Sequence, residues 1–129
     1  MRFVRYLWVA GTLLCALGSA RAADWPQSFA DCEVRMPQKQ GEINECARLE
    51  YLEADKELNS LYQRVIGSDP NAALLKEAQR AWLVFREKVC LYDQAYVELG
   101  GSAAGMYYQG CLTRHTKRRI EDLRRDLEK

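Results

Sequence analysis

The chain has 129 residues, and its 19 lysines and arginines nearly balance 18 aspartates and glutamates, which gives a formal net charge of +1 at pH 7. A chain of this length suits a single domain with a modest hydrophobic core. The near-neutral balance excludes bulk charge as a reason to expect nucleic acid or another polyanion as a partner.

The first 22 residues have the pattern of a secretory signal peptide. Arg2 and Arg5 precede the apolar run Tyr6–Leu17, and the small-x-small tripeptide Ala20–Ala22 follows it. Cleavage is predicted after Ala22, with Ala23 as the alternative. The run has about 12 residues, whereas a membrane-spanning helix needs roughly 20. We therefore expect a periplasmic or secreted protein with no transmembrane segment.

Cleavage changes the charge and the cysteine count of the mature chain, residues 23–129. Three arginines and no acidic residues are removed, so the formal net charge changes from +1 to −2. Cys15 also leaves, and we expect no lipid anchor on it, because a lipid-modified cysteine normally follows a small residue and Cys15 follows Leu14. An even number of cysteines remains, which suits two disulfides in an oxidising compartment. These are Cys32, Cys46, Cys90 and Cys111.

The mature chain opens with a segment that has no sustained period. Residues 24–40 include Pro26 and Pro37 and predict an irregular N-terminal arm. Between Glu42 and Ile66, apolar residues recur at steps of three and four, which predicts an amphipathic helix. They are Ala47, Tyr51, Ala54, Leu58, Leu61, Tyr62 and Val65.

A second helix is predicted after a stop at Gly67. Asp69 is a suitable capping residue, and Pro70 suits the first helical position. The helix is expected to run to about Leu99, before Gly100 and Gly101. Its predicted core stripe is the clearest in the chain, with Trp82 as its central anchor. The stripe comprises Leu75, Ala78, Trp82, Phe85, Val89, Tyr92, Tyr96 and Leu99.

A third helix is predicted after a loop from Gly100 to Gly110. Its apolar positions lie among many charged residues and are Leu112, Thr116, Ile120, Leu123 and Leu127. The mature chain shows no strand-like alternation and no internal repeat. The sequence therefore predicts an all-α domain, either an antiparallel three-helix bundle or a helical hairpin plus one helix.

The first two helices form a hairpin in this interpretation, with its turn between residues 68 and 69. Asn59 then lies level with Gln79, and Asp55 lies about one turn from Arg86. We expect an amide pair at the first place and a partly buried ion pair at the second, because buried polar groups need partners. These four residues are expected to serve the structure.

The four mature cysteines allow three disulfide pairings. Local pairing joins Cys32 to Cys46 and Cys90 to Cys111, and it is favoured because the second and third helices fold back near residue 102. The alternative joins Cys46 to Cys90, which lie level in the hairpin. Each loop closed in this way contributes about 3 kcal/mol in the chain-entropy model.

Neither a metal site nor an enzyme active site is expected. Cys111 and His115 have the i, i+4 spacing of a helical metal site, but His115 is the sole histidine and no further ligand cluster accompanies it. No serine elbow, phosphate loop or haem-attachment motif occurs. We therefore predict a binding protein without cofactor or metal.

The third helix carries a basic stretch, but acids interleave with it. Glu121, Asp122, Asp126 and Glu128 lie at three- and four-residue steps from its arginines and lysines, as on a solvated face with salt bridges. The basic residues are Arg114, Lys117, Arg118, Arg119, Arg124 and Arg125. We expect no nucleic-acid binding, and weak contact with anionic lipid or envelope polysaccharide stays open.

Several short motifs spread over about residues 46–124 form a distinctive combination. They are Ala54–Asn59 with Tyr62, Leu75, Ala78–Trp82, Phe85–Arg86, Cys90, Gly100–Ser102, Cys111, Thr116, Arg119 and Leu123. Together they resemble one known family, the LprI-type lysozyme inhibitor domain. The resemblance implies a small secreted helical module that inhibits a lysozyme-type muramidase. The sequence lacks the lipid-attachment signal of some relatives, which implies a free protein instead of an anchored one.

Two functions follow from this reasoning. The first is inhibition of a muramidase, with a target-binding loop from Gly100 to Gly110, and the second is a structural or adaptor role in the bacterial envelope without a lysozyme target. The candidate binding residues are Gly100, Gly101, Ser102, Tyr107, Tyr108 and Gln109. The loop combines amide and hydroxyl donors with two aromatic rings, and a Cys90–Cys111 disulfide would hold it in shape.

Overall fold

A computed structural model describes residues 25–97 and 101–128, and every regular element within these residues is an α-helix. Its helices are α1 (Phe29–Arg35), α2 (Gln40–Ser68), α3 (Ala72–Ala95) and α4 (Ala104–Leu127). The all-α prediction is confirmed, and so are both favoured disulfides, Cys32–Cys46 and Cys90–Cys111. The predicted signal peptide lies outside the described residues.

The N-terminal arm is more regular than its sequence predicts, because it contains the short helix α1. The Ser28 side chain caps this helix by accepting from the Asp31 amide at 3.1 Å. At the other end Met36 adopts a left-handed conformation with φ 47°. The prolines that suggested an irregular segment lie on either side of α1 and bound it. The prediction of a wholly irregular arm was therefore wrong.

The turn between α2 and α3 is formed by Asp69, whose Oδ1 accepts from the Asn71 amide at 2.7 Å. Pro70 lies within this turn and not in the first turn of α3, which begins at Ala72. The sequence analysis predicted Pro70 in the first helical position. The Asp69 carboxylate instead stabilises a turn through Pro70 and Asn71, and α3 begins after that turn.

The three long helices form an up-down-up bundle. Two ion pairs, Glu50–Lys117 and Glu57–Arg124, join α2 to α4 with the same separation of 67 residues, so these helices are parallel. Helix α3 runs antiparallel to both, and the Cys90–Cys111 disulfide links it to α4. The predicted bundle is thus confirmed, with each of the three long helices in contact with the other two.

The core consists of two apolar clusters separated by a polar layer. One cluster lies toward the α2–α3 turn and comprises Leu58, Leu61, Val65, Ile120 and Leu123. The other lies toward the α3–α4 connection and comprises Cys90, Cys111 and Leu112, with Tyr51, Val89 and Tyr108 against it. Side chains from α2 and α4 supply most of the first cluster, so α3 contributes less to the core than its sequence predicts.

The predicted core stripe of α3 is confirmed only in part: Leu75, Trp82 and Val89 are partly buried and pack against the two clusters, and Leu99 lies outside the described residues. Phe85, Tyr92 and Tyr96 are exposed, and the buried residues of α3 are Gln79, Arg86 and Cys90. Trp82 is half-buried at the edge of the first cluster and is not a central anchor. The physical reason is that α3 carries apolar residues around most of its circumference, so periodicity alone did not select the face that packs.

Candidate target-binding tip and the polar layer behind it

The segment predicted as a binding loop is mostly helix. Gly101 and Ser102 are exposed in a short connection, and the Gly101 carbonyl accepts from the Ala104 amide at 3.1 Å as α4 begins. Tyr107, Tyr108 and Gln109 therefore lie in the first turns of α4. The prediction of a loop as far as Gly110 was wrong, because the two glycines in this region did not interrupt the helix.

The helix separates the predicted binding residues into exposed and packed ones. Tyr107 is 53% exposed, whereas Tyr108 packs against the cluster of Cys90, Cys111 and Leu112. Gln109 is half-buried, and its Oε1 has no hydrogen-bond partner among the described residues. Gly100 lies outside those residues. We call the exposed set of Gly101, Ser102 and Tyr107 the tip.

The tip is fixed to the bundle from more than one side. Asn44, near the start of α2, donates from Nδ2 to the Ser102 carbonyl at 2.7 Å. Gln40 donates in turn to the Asn44 Oδ1 at 2.9 Å, which orients the amide. On the α3 side, the Cys90–Cys111 disulfide lies two helical turns below the start of α4. The Asn44 amide thus ties the Ser102 carbonyl to α2, and the disulfide ties the first turns of α4 to α3.

Charge near the tip is largely balanced. Arg114 pairs with Asp93 at 3.1 Å between α4 and α3. The Tyr92 and Tyr96 hydroxyls lie 2.8 Å apart, and this hydrogen bond raises the pKa of Tyr92. Partial burial lowers the pKa of His115, and the neighbouring positive charges of Arg114 and Arg118 lower it further. The tip itself contains no acidic or basic residue, so it presents uncharged hydrogen-bonding groups and an aromatic ring.

Behind the tip, Arg86 organises a polar layer between the two apolar clusters. Its Nη1 donates to Asp55 Oδ1 and to Thr116 Oγ1, both at 2.9 Å, and its Nη2 donates to the Tyr51 hydroxyl at 3.1 Å. The guanidinium also lies over the Trp82 ring, 4.9 Å from its centroid. The predicted Asp55–Arg86 ion pair is thus present and joins α2 to α3.

The predicted amide pair of Asn59 and Gln79 was wrong. Asn59 donates to Asp55 Oδ2 at 3.1 Å, and Gln79 accepts from Arg119 Nε at 3.0 Å. The hairpin model considered only the first two helices, whereas α4 supplies a charged donor that competes for Gln79. A hydrogen bond to a charged group is stronger than one between two neutral amides.

His115 lies close to the Cys90–Cys111 disulfide. Donor atoms of these three residues fall within 4.8 Å of one another, a spacing that metal sites also show. The two sulfur atoms are bonded to each other, however, and a disulfide does not offer the thiolates that bind zinc. The geometry therefore favours a structural disulfide with a packed imidazole beside it.

A comparison of the sequence with models of known protein families finds a match. The family model Lysozyme inhibitor LprI matches residues 32–123. The match runs from Cys32 through the polar layer, the tip and most of α4. The chain belongs to the LprI lysozyme inhibitor family. This confirms the resemblance derived from the motifs.

Among curated proteins, this LprI-family chain is similar to an uncharacterised protein of Rhizobium meliloti (strain 1021). The two are 34% identical over 131 aligned residues, which cover 90% of each chain. No solved structure matches the chain. No helix in residues 25–97 or 101–128 is long and apolar enough to cross a membrane.

Sequence reasoning missed Asn44, the residue that anchors the tip of this LprI domain. Its partner is a backbone carbonyl 58 residues away, and a backbone acceptor leaves no signature in the sequence. Ser102 and Tyr107, which the sequence analysis singled out, are exposed. The roles of the tip residues in binding are part of the proposal that follows.

Proposed function

We propose that the mature protein acts outside the cytoplasm as an inhibitor of a lysozyme-type muramidase, and that the tip covers or enters the sugar-binding cleft of the enzyme. The name of the matching family supports the class of target. The observation that carries the assignment to the tip is the Asn44–Ser102 hydrogen bond, because it ties an exposed, uncharged segment to one end of the helical bundle.

The chemistry of the target suits this surface. A lysozyme-type enzyme uses two carboxyl groups that flank a cleft for sugar rings. An occluding segment therefore needs hydrogen-bond donors for the carboxyl groups and a flat ring in place of a sugar. The Ser102 hydroxyl and the backbone amides of the tip supply donors, and Tyr107 supplies an exposed ring.

Preorganisation supports tight binding by the tip. Ordering a flexible loop on association reduces affinity, and a segment that is already held avoids most of this cost. The Asn44 anchor and the Cys90–Cys111 disulfide hold the connection before the target arrives. Two paired disulfides also suit an oxidising compartment, as the predicted signal peptide does.

The experiment is a turbidity assay of bacterial cell walls with c-type, g-type and i-type lysozymes. Mature wild-type protein should slow at least one enzyme, and the double variant Ser102→Ala, Tyr107→Ala should require about tenfold or more inhibitor for the same effect. Tyr108 and Gln109 are left intact because they pack within the bundle.

The matched control is the double variant Ser60→Ala, Gln63→Ala, which changes exposed residues of α2 away from the tip. It should inhibit as well as wild type. If folded wild-type protein in large molar excess slows none of the enzymes, lysozyme inhibition is wrong and the envelope adaptor becomes the better interpretation. If the tip variant inhibits as well as wild type, the tip assignment is wrong.

A further inference from the structure

Helix α3 has a second apolar face, which points away from the bundle. Seven exposed positions follow one another at alternating steps of three and four residues along this face. They are Leu74, Glu77, Ala81, Val84, Lys88, Leu91 and Ala95. We call this set the outer seam. Its spacing is the heptad spacing of helices that pair along their length.

The outer seam has no partner within the described part of the chain. Leu74 is 67% exposed, Val84 59% and Leu91 43%, and neither apolar cluster includes them. Phe85 and Tyr92 flank the seam and are also exposed. A helix face that meets only water normally carries polar residues, so a row of this kind indicates an interaction surface.

The two charged residues of the outer seam, Glu77 and Lys88, indicate which partner fits. Both are exposed, and neither forms an ion pair in the described residues. They lie at equal distances on either side of the midpoint between Trp82 and Leu83. A second, identical helix in antiparallel orientation would therefore present a lysine to each glutamate and a glutamate to each lysine.

We propose that the outer seam binds a second copy of this chain, with the two α3 helices antiparallel about a two-fold axis near residues 82 and 83. Glu77 then lies opposite Lys88 of the partner subunit, and the symmetry repeats this pair on the other side. Such an interface is isologous and closed, so it gives a dimer and not a fibre.

The same register also matches the apolar residues of the seam. Leu74 lies opposite Leu91 of the partner subunit, and Ala81 lies opposite Val84 of the partner subunit. The small Ala81 side chain near the axis allows the two helices to approach closely, while the leucines cover the ends of the contact. A single antiparallel register therefore places apolar residues opposite apolar residues and opposite charges opposite each other.

The alternative, a parallel pairing of two α3 helices, is unfavourable. It would place Glu77 against Glu77 of the partner subunit and Lys88 against Lys88 of the partner subunit. Like charges in facing seam positions oppose association, and polar residues at such positions select orientation and register. The antiparallel arrangement converts both repulsions into attractions.

The test is sedimentation equilibrium of the mature protein, with charge reversal at the two seam positions. Wild type should be in a monomer–dimer equilibrium, and Glu77→Lys or Lys88→Glu alone should weaken the dimer at least about tenfold, since each places two like-charge pairs in the interface. The double variant should regain the wild-type affinity. An equimolar mixture of the two single variants should form a heterodimer, because both facing pairs are then opposite in charge.

Control reversals at exposed positions of α2, Lys56→Glu and Glu53→Lys, should leave the association unchanged. Thermal melting checks that every variant is folded. A wild-type protein that stays monomeric overturns the proposal. If, in addition, the outer-seam variants lose lysozyme inhibition, the outer seam contacts the lysozyme and not a second copy of the chain. A dimer that the reversals do not affect, or that the mixture does not restore, overturns it as well. The dimer and the lysozyme assay have separate readouts, so either proposal can fail alone.

Discussion

Arg86 and Asp55 join α3 to α2 through a hydrogen bond of 2.9 Å between Nη1 and Oδ1, at the boundary between two apolar clusters. The Arg86 side chain is almost wholly buried there. A buried charge without a partner is strongly unfavourable, so the pair fixes how the helices meet even where its net contribution to stability is small.

Removing one partner of this pair should destabilise the protein. Asp55→Ala leaves the Arg86 guanidinium without its carboxylate, and we expect a loss of about 3 kcal/mol in the free energy of unfolding. Denaturant unfolding measures the loss. The double variant Asp55→Ala, Arg86→Met should be less destabilised than the sum of the two single variants, since no unpaired charge remains. Additive losses would contradict the coupling.

Trp82 should matter more to stability than its exposed neighbour Leu83. Trp82 packs against the first cluster and over the Arg86 guanidinium, whereas Leu83 is exposed on α3. Trp82→Ala is expected to cost about 3 kcal/mol, the lower end for a large aromatic residue because the ring is half-buried. Leu83→Ala should cost less than about 1 kcal/mol. Thermal or denaturant unfolding measures both variants. Equal losses in the free energy of unfolding would show that the packed face of α3 is misassigned.

A protein of residues 23–129 should contain no reactive thiol, because its four cysteines are paired. Thiol titration under denaturing, non-reducing conditions checks this. The variant Cys90→Ser, Cys111→Ser should lose about 3 kcal/mol of stability and also inhibit lysozyme less well, since the disulfide helps to hold the tip. Two or more reactive thiols per mature chain would contradict the pairing.

His115 should make stability depend on pH. Burial and the nearby arginines lower its pKa in the folded state, so below the unfolded value of about 6.5 the unfolded chain takes up the proton first. The contribution of neutral His115 to the free energy of unfolding is fully present above that pH and is lost as the pH falls through the pKa of His115 in the folded state. The difference in melting temperature between wild type and His115→Gln should therefore change between about pH 7.5 and pH 5. A constant difference would contradict the assignment.

The sequence predicted the three long helices because their apolar repeats are local features. It predicted the Asp55–Arg86 pair because the hairpin of the first two long helices places these residues at similar heights. It predicted the Cys90–Cys111 disulfide because the next helix folds back near residue 102, and the Cys32–Cys46 disulfide because the arm leads directly into the first long helix. It failed for Gln79, since the competing donor Arg119 comes from a third helix. It also failed for the buried face of α3, where apolar residues on several sides made two faces equally suitable for packing.

The tip was predicted only in part for a similar reason. The glycines at 100, 101, 105 and 110 suggested an extended loop, but α4 tolerates Gly105 and Gly110 because Tyr108 and Leu112 pack on the core and stabilise the helix around them. The anchor at Asn44 depends on a tertiary contact that no local pattern encodes.

Competition with a cleft oligosaccharide tests the central claim most directly. Binding of the mature protein to a lysozyme that it inhibits is measured by calorimetry with and without saturating tri-N-acetylchitotriose, a sugar that fills the cleft. If the tip occupies the cleft, the sugar should weaken the apparent affinity of the protein for lysozyme. The loss should grow with the ratio of the sugar concentration to the dissociation constant of the sugar. An affinity unchanged by the sugar would contradict the account.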